Sequence, residues 1–263
     1  MPARTINNTA LHYEESGKGT PLVLLHGFPL DGRVWDAQRK SLSDRFRVVA
    51  PDLRGFGKSA PATAPFTMES LADDVHALLA EIGALPCVLG GLSMGGYVAL
   101  AYVKKYPGDL KGLALVDTRA EGDPPEGKEA RAKMIELVKS KGPPAVADQM
   151  MPKLIAPDAM NNKPALVKEL RTILEACPAK TIEYALMAMR DRPDRTEDLS
   201  SIAVPTTIIV GDQDAITPPA MSEKMNKLIP RSRLVIVKGS GHMSCMEQPE
   251  QVNRALAGFA QQV

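Results

Sequence analysis

A glycine-rich segment near the middle of the chain reads Val88-Leu89-Gly90-Gly91-Leu92-Ser93-Met94-Gly95-Gly96. An apolar pair precedes the glycines, and a segment rich in helix-forming residues follows, from Tyr97 to Tyr106. This order predicts a β-strand, a sharp turn at Ser93 and an α-helix. Gly91 and Gly95 suit such a turn because residues without side chains allow a strand and a helix to approach closely. A Gly-x-Ser-x-Gly pattern also occurs in ordinary glycine-rich loops, so its meaning depends on the rest of the chain.

The composition is that of an ordinary globular protein of 263 residues. Hydrophobic residues make up 44% and charged residues 24%, which excludes a disordered chain and allows a large buried core. The formal net charge is +1, from 32 basic and 31 acidic residues, so neither nucleic acid nor an anionic membrane is expected as a partner. The sequence carries no readable signal for the oligomeric state.

Three features bear on where the protein is found. No apolar run approaches the roughly 20 residues that a membrane helix needs. Residues 1–16 contain no continuous apolar segment of the kind found in signal peptides. The cysteines Cys87, Cys177 and Cys245 are far apart and lack a Cys-x-x-Cys spacing, so neither a disulfide framework nor a zinc site is indicated. Together these features predict a cytoplasmic protein.

The remaining apolar segments alternate between strand patterns and helix patterns. Two short strands joined at Asn7-Asn8 predict an antiparallel hairpin at the start of the chain. Continuous apolar runs, which suit strands buried on both faces, follow at 21–25, 46–50, 111–116, 205–210 and 234–237. The clearest helix pattern between them runs from Thr67, a candidate N-cap, to Ile82. The alternation predicts an α/β fold with a doubly wound, mostly parallel eight-stranded sheet.

Residues 119–198 differ from the rest of the chain. They contain helical patterns broken by prolines and no convincing strand. Several methionines, including Met134 and Met150, lie here, and they suit either an adaptable pocket wall or ordinary core filling between helices. We therefore expect an α/β core made of residues 1–118 and 199–263, and an inserted helical cap made of residues 119–198.

Loops that follow the predicted strands carry the residue types needed for nucleophilic acyl transfer. In a parallel sheet such loops meet at one edge, so residues that are distant in sequence come together there. Ser93 offers a hydroxyl, His242 an imidazole that can take its proton, and Asp214 a carboxylate that can orient the imidazole. Asp212, in the same loop, and Asp117, after another strand, are alternatives for the carboxylate. The Gly-x-x-Asp spacing favours Asp214.

These motifs and their order resemble the α/β-hydrolase fold superfamily over nearly the whole chain. The matching segments are His26-Gly27-Phe28-Pro29, Gly91-Leu92-Ser93-Met94-Gly95-Gly96, Gly211-Asp212-Gln213-Asp214 and Gly241-His242. Within the superfamily the chain is similar to serine esterases, 3-oxoadipate enol-lactonases and cofactor-free haloperoxidases. The resemblance implies Ser93 as nucleophile, His242 as general base and Asp214 as orienting acid. It also implies an oxyanion hole made by the backbone N–H groups of Phe28 and Met94.

The serine at the nucleophile position narrows the chemistry. Relatives that hydrolyse haloalkanes or epoxides carry an aspartate there, and the dienelactone type carries a cysteine, so an ester or lactone of a small molecule is the expected substrate. No cofactor and no metal are expected. Acyl transfer, perhydrolysis and carbon–carbon bond hydrolysis are alternatives on the same triad, the last one weakened because Leu92 stands where those enzymes usually carry asparagine. A ligand receptor on a hydrolase scaffold is the non-enzymatic alternative.

Three apolar residues flank the candidate triad and oxyanion positions. Phe28, Ile216 and Met243 are expected to line an apolar substrate pocket. Among the other histidines, His26 is expected to have a structural role in its loop, and His12 is expected at the surface.

Overall fold

The computed structural model describes residues 3–263, so Met1 and Pro2 of the predicted core segment lie outside the described residues. The strands are β1 (Ala3–Ile6), β2 (Thr9–Ser16), β3 (Pro21–Leu25), β4 (Arg47–Pro51), β5 (Cys87–Leu92), β6 (Leu110–Val116), β7 (Thr206–Gly211) and β8 (Ser232–Val237). They form one sheet of 8 strands in the order β1-β2-β4-β3-β5-β6-β7-β8. β2 pairs antiparallel with β1 and β4, and every other pair is parallel. The predicted opening hairpin and mostly parallel sheet are confirmed.

The helices follow the strands in the alternation that the sequence predicts. They are α1 (Asp36–Leu42), α2 (Met68–Glu81), α3 (Met94–Lys105), α4 (Pro125–Lys141), α5 (Pro143–Leu154), α6 (Pro157–Asn162), α7 (Pro164–Ala176), α8 (Ala179–Asp191), α9 (Pro219–Leu228), α10 (Ser244–Glu247) and α11 (Pro249–Ala260). α2 begins after Thr67, whose hydroxyl accepts from the amide of Ser70 in a capping box, as the candidate N-cap predicts. Within residues 3–263, every helix is too short or too polar to cross a lipid bilayer.

Helices cover both faces of the sheet. Successive side chains of a strand point to opposite faces, so Val23 and Leu25 of β3 join one buried cluster and Leu22 and Leu24 join the other. The first cluster includes the apolar faces of α2 and α3, and the second includes those of α1 and α11. This arrangement confirms a doubly wound sheet, whose central strands are buried on both sides.

A run of helices, α4 to α8, lies between β6 and β7 in the chain. Among the described residues no strand interrupts this region, in agreement with the helical patterns of the sequence. The assignment of residues 119–198 to a separate cap stays a prediction. These helices form the connection between the end of β6 and the start of β7.

Candidate active site

Ser93 lies in the turn that the glycine-rich segment predicts. β5 ends at Leu92 and α3 begins at Met94, so Ser93 alone joins the strand to the helix. Its φ of 51° and ψ of −113° lie outside the regions that residues with a side chain ordinarily adopt, so the backbone is strained. Its amide donates to the carbonyl oxygen of Val116 at 2.9 Å, and its carbonyl oxygen accepts from the Thr118 hydroxyl at 2.8 Å. Main-chain bonds to the end of β6 therefore hold the strained turn in place.

Two glycines make this turn sterically possible. A Cβ atom on Gly91 would lie 2.2 Å from the carbonyl oxygen of Gly95. A Cβ atom on Gly95 would lie 2.5 Å from the carbonyl oxygen of Leu25. The opposing atoms belong to the backbone and have no room to move aside. The predicted close approach of β5 and α3 is confirmed.

Gly95→Ala is expected to destabilise the protein by about 3 kcal/mol, because the added methyl group overpacks against backbone atoms of β3. Gly258→Ala is the matched control, since Gly258 also lies in a helix but a Cβ atom there would meet nothing within 4 Å. Alanine is the better helix former, so this control is expected to stabilise the protein by about 0.5–1 kcal/mol. Urea unfolding of both variants measures the difference, and equal stabilities would contradict the steric argument.

A continuous chain of hydrogen bonds links Ser93, His242 and Asp214. The distance from Ser93 Oγ to His242 Nε2 is 2.8 Å, and the distance from His242 Nδ1 to Asp214 Oδ2 is also 2.8 Å. Asp214 follows β7 and His242 follows β8, so the carboxyl ends of the parallel strands bring the three residues together. His242 and Asp214 are buried, whereas Ser93 is half-buried. The structure thus joins the three side chains that the sequence proposes as nucleophile, base and acid.

Asp214 is oriented by the loop in which it lies. Its Oδ1 accepts from the backbone amides of Ile216 at 2.8 Å and Thr217 at 2.9 Å, and its Oδ2 accepts from the Thr217 hydroxyl at 2.8 Å. Burial alone would raise the pKa of Asp214. The charge and hydrogen bond of His242 and the hydrogen bonds from Thr217 lower it by more than burial raises it, so the net pKa is below its usual value. Sequence reasoning missed Thr217. A threonine three positions after an aspartate, just before a helix, is the signal that could have indicated it.

The imidazole of His242 gains proton affinity from its surroundings. Burial lowers the pKa of His242, but the charge of Asp214 and the hydrogen bond to it raise that pKa more, and the charges of Asp117 and Glu247 add to the increase. The net pKa is therefore above the ordinary value of 6.5. A base with a raised pKa accepts a proton from a hydroxyl more readily than a free imidazole does.

Asp117 and Asp212, the two other candidates for the acid, form hydrogen bonds with groups other than His242. Asp117 accepts from the amide of Gly211 at 2.9 Å and from the amide and hydroxyl of Ser244 at 3.1 Å and 2.5 Å. Burial, followed by the charge of Asp214, raises the pKa of Asp117 well above its usual range. Asp212 accepts from the amide of Gly239 at 2.9 Å. Neither carboxylate bonds to His242 in the described part of the chain, so the geometry favours Asp214.

A buried glutamate holds the loop that carries His242. Glu247 Oε1 accepts from the amide of Gly241 at 2.8 Å, and its Oε2 accepts from the amide of Ala156 at 2.8 Å. Burial raises the pKa of Glu247 against the opposing effect of these hydrogen bonds. The glutamate therefore ties the His242 loop to the segment between α5 and α6. No local sequence pattern indicates this role, because the amide of Ala156 lies 91 residues from Glu247 in the chain.

Two backbone amides lie at the proposed oxyanion positions. Met94 is the first residue of α3, where a backbone N–H has no acceptor within the helix. The amide of Phe28 has no hydrogen-bond partner among residues 3–263. Gly27, next to it, lies close to the turn, since a Cβ atom there would be 3.3 Å from the Cβ atom of Ser93. Both amides are thus available to an acceptor beside Ser93.

A cavity of about 330 Å³ borders this site. Phe28 and Ile216, two of the residues predicted to line a pocket, lie in its wall. Met243 does not line it, because this side chain is fully buried in the apolar cluster that contains α1 and α11. Met134 of α4 and Met150 of α5 also line the cavity. Charged side chains also form part of the wall: Arg119, Asp123, Arg131 and Lys153.

The remaining histidines near these loops have structural contacts. His26 is fully buried; its Nδ1 donates to the carbonyl oxygen of Gly27 at 2.8 Å and its Nε2 accepts from the amide of Leu53 at 3.0 Å. Burial lowers the pKa of His26, which keeps the ring neutral. The prediction that His12 lies at the surface is wrong, because its side chain is buried with Nδ1 3.1 Å from Asp52 Oδ2.

Known proteins resemble this chain along nearly its whole length. The AB hydrolase superfamily protein YisY of Bacillus subtilis is 32% identical over 269 residues, covering 98% of this chain and 97% of that protein. A thermophilic esterase from Thermogutta terrifontis, solved with malate bound, has a TM-score of 0.95 and 41% identity, covering 99% of this chain and 98% of its own. The enol-lactonase from Burkholderia xenovorans has a TM-score of 0.92 and 26% identity, covering 99% and 100%.

A family model gives the same result. The model of the alpha/beta hydrolase family matches residues 22–255, a span that begins in β3 and ends in α11. Ser93, Asp214 and His242 all fall within it. The match covers most of the sheet. The chain therefore belongs to the alpha/beta hydrolase family.

Proposed function

We propose that this protein is a serine hydrolase that cleaves carboxylic esters or lactones of small molecules through an acyl-enzyme on Ser93. The observation that carries the proposal is the hydrogen-bonded chain from Ser93 through His242 to Asp214, in which both distances are 2.8 Å. A hydroxyl, an imidazole and a carboxylate in this order form an activated nucleophile. The similar structures named as an esterase and an enol-lactonase support the two substrate classes.

In the proposed cycle, Ser93 Oγ attacks the carbonyl carbon of the substrate while His242 Nε2 takes the hydroxyl proton. The carbonyl oxygen becomes an oxyanion, which accepts hydrogen bonds from the amides of Phe28 and Met94. Collapse of this intermediate breaks the bond to the alkoxide, which receives the proton from His242. A water molecule then loses a proton to His242, attacks the acyl carbon and releases the acid, and the proton returns to Ser93.

The structure carries a prediction about pH. A general base works only in its neutral form, so kcat/KM is expected to fall as the pH decreases through the pKa of His242. Because that pKa is raised, we expect the midpoint of the acidic limb to lie above 6.5. A pH profile of p-nitrophenyl butyrate hydrolysis measures it, with circular dichroism at each pH to confirm that the protein stays folded. An acidic midpoint at or below the ordinary histidine value would contradict the raised pKa, and the absence of an acidic limb would contradict the assigned role of His242.

A labelling experiment tests the proposal as a whole. The purified protein is expected to hydrolyse p-nitrophenyl acetate and butyrate or a simple lactone, and to lose this activity when phenylmethanesulfonyl fluoride adds one sulfonyl group to Ser93. Mass spectrometry of the peptide that contains Ser93 locates the adduct. Ser222→Ala is the matched control, because Ser222 is a buried hydroxyl without a hydrogen-bond partner among the described side chains, and it should be labelled and active like the wild type. Absence of both hydrolysis and labelling would overturn the proposal.

A further inference from the structure

The wall of the cavity beside Ser93 has an excess of positive charge. Arg119, Arg131 and Lys153 line it, whereas Asp123 is the only carboxylate in the lining. Arg131 belongs to α4 and Lys153 to the last turn of α5, so two neighbouring helices each contribute a cation. The near-neutral composition of the whole chain gives no hint of this local imbalance.

The carboxylate of Asp123 is already shared by several guanidinium groups. It bonds to Arg119, to Arg131 Nε at 3.0 Å and to Arg192 at 2.9 Å. Burial raises the pKa of Asp123, but the charges of Arg131 and Arg192 lower it more, so the carboxylate is ionised. One negative charge against three positive charges leaves this buried cluster cationic.

Of the arginines that bond to Asp123, Arg192 has a clear structural role. Arg192 is 3% exposed, bonds to Asp123 and to the carbonyl oxygen of Glu121 at 2.7 Å, and lies 4.0 Å from the centre of the Tyr97 ring. These contacts tie the end of α8 to the segment before α4. Arg131, by contrast, uses only Nε, and its terminal amino groups have no hydrogen-bond partner within residues 3–263. The contact with Asp123 therefore leaves the two terminal amino groups of Arg131 available to another acceptor.

Lys153 is also without an acidic partner. Its side chain lines the cavity, and its ammonium group forms no ion pair with a carboxylate of residues 3–263. Lys153 is exposed to solvent, whereas Arg131 is half-buried, so an anion in the cavity would compensate chiefly the charge of Arg131. A guanidinium with two free amino groups matches the two oxygens of a carboxylate. The cavity thus presents a site that a carboxylate would complete.

We propose that the substrate carries a carboxylate group, which binds to Arg131 and Lys153 while its ester or lactone carbonyl lies beside Ser93. This inference rests on the proposed hydrolase function. Phe28 and Ile216, which adjoin the oxyanion amide and the Asp214 loop, line the same cavity as the two cations. The cationic wall and the loops that carry the oxyanion amide and Asp214 therefore border one cavity. The substrate class is the half-ester of a dicarboxylic acid, or a lactone or ester with a carboxylate on its alcohol part.

Matched substrates test this inference in the wild-type enzyme. Monomethyl adipate and dimethyl adipate share an acyl chain and differ by one negative charge, and 6-acetoxyhexanoate and its methyl ester make the same comparison on the alcohol side. We expect the charged member of at least one pair to have the higher kcat/KM. The pair that shows the preference identifies the part of the substrate that carries the carboxylate. A preference for the neutral member in both pairs would overturn the inference and leave the proposed hydrolase function intact.

Substitution of the cation gives a sharper result. Arg131→Gln is expected to lower the ratio of kcat/KM for the charged and neutral esters by about 10- to 100-fold, the loss of a charge-assisted hydrogen bond. Lys153→Met should change the ratio in the same direction. Lys133→Met is the matched control, because Lys133 lies on the same helix, pairs with Glu129, has a side chain 75% exposed and does not line the cavity. Equal ratios in the three variants would contradict the assignment.

A binding measurement separates this inference from the proposed function, because it needs no catalysis. Adipate is expected to bind the wild-type protein in calorimetry, more tightly than hexanoate and less tightly as the salt concentration rises. Arg131→Gln should weaken adipate binding by about tenfold or more, whereas Lys133→Met should not. Adipate binding without any ester hydrolysis would support the anion site and reject the hydrolase. Absence of adipate binding, or equal binding by both variants, would reject the anion site.

Discussion

Ser93→Ala is expected to lower kcat for ester hydrolysis by about 10⁴- to 10⁶-fold, because the nucleophile of the proposed acyl-enzyme is removed. The residual rate would come from the oxyanion amides and from substrate binding alone. The substitution removes a single side-chain bond, to His242 at 2.8 Å, whereas the main-chain bonds that hold the turn remain. Steady-state kinetics with p-nitrophenyl butyrate measures the loss of activity.

Two further measurements make this result specific. The melting temperature of Ser93→Ala should stay close to that of the wild type, since the strained backbone is held by Val116 and Thr118 rather than by the serine side chain. The variant should also bind adipate like the wild type, because Arg131 and Lys153 are unchanged. An Ser93→Ala enzyme that keeps a tenth or more of the wild-type kcat would exclude Ser93 as the nucleophile.

Asp214→Asn should produce the second large effect, a loss of about 10⁴-fold in kcat. Asparagine has nearly the same shape but no charge, and its amide can hold the imidazole of His242 in the wrong tautomer. The charge of Asp214 and the hydrogen bond to it also raise the pKa of His242, so the acidic limb of the pH profile should move to lower pH in this variant. A joint measurement of kcat and the pH profile therefore tests the acid in two ways.

The other aspartates provide the controls for this substitution. Asp212→Asn is expected to keep nearly full activity, because Asp212 accepts from the amide of Gly239 and lies 3.6 Å from Lys238, away from the imidazole. Asp117→Asn should affect stability first, since the Asp117 carboxylate joins Gly211 to Ser244. If Asp117→Asn rather than Asp214→Asn removed the activity, the acid would have to be reassigned to the end of β6.

Most elements of the fold follow from local sequence patterns. Continuous apolar runs marked the buried strands, and helical spacing marked α2 within a few residues of its observed ends. The sequence did not resolve α5 and α6, because Pro143, Pro144, Pro152 and Pro157 read as interruptions. In the structure Pro143 and Pro157 begin their helices, where no backbone donor is needed, and Pro152 lies near the end of α5.

The residues of the site were identifiable to different degrees. A lone serine between glycines and a histidine after the last strand are local signals, and the two side chains lie within hydrogen-bond distance of each other. Three aspartates near strand ends remained open for the acid, and only their three-dimensional contacts distinguish them. The catalytic roles of Ser93, His242 and Asp214 and the oxyanion roles of Phe28 and Met94 stay predictions until the variants are measured.

The sequence by itself determined the strand–turn–helix at Ser93, because the steric freedom of Gly91 and Gly95 is a local property that no distant contact supplies. It also determined the residue types of the proposed triad and their order along the chain. The tertiary structure decided which carboxylate faces His242, that Met243 is buried, and that Arg131 and Lys153 share one cavity. These outcomes depend on how helices and loops pack onto the strand ends, and side chains separated by many residues meet only after that packing.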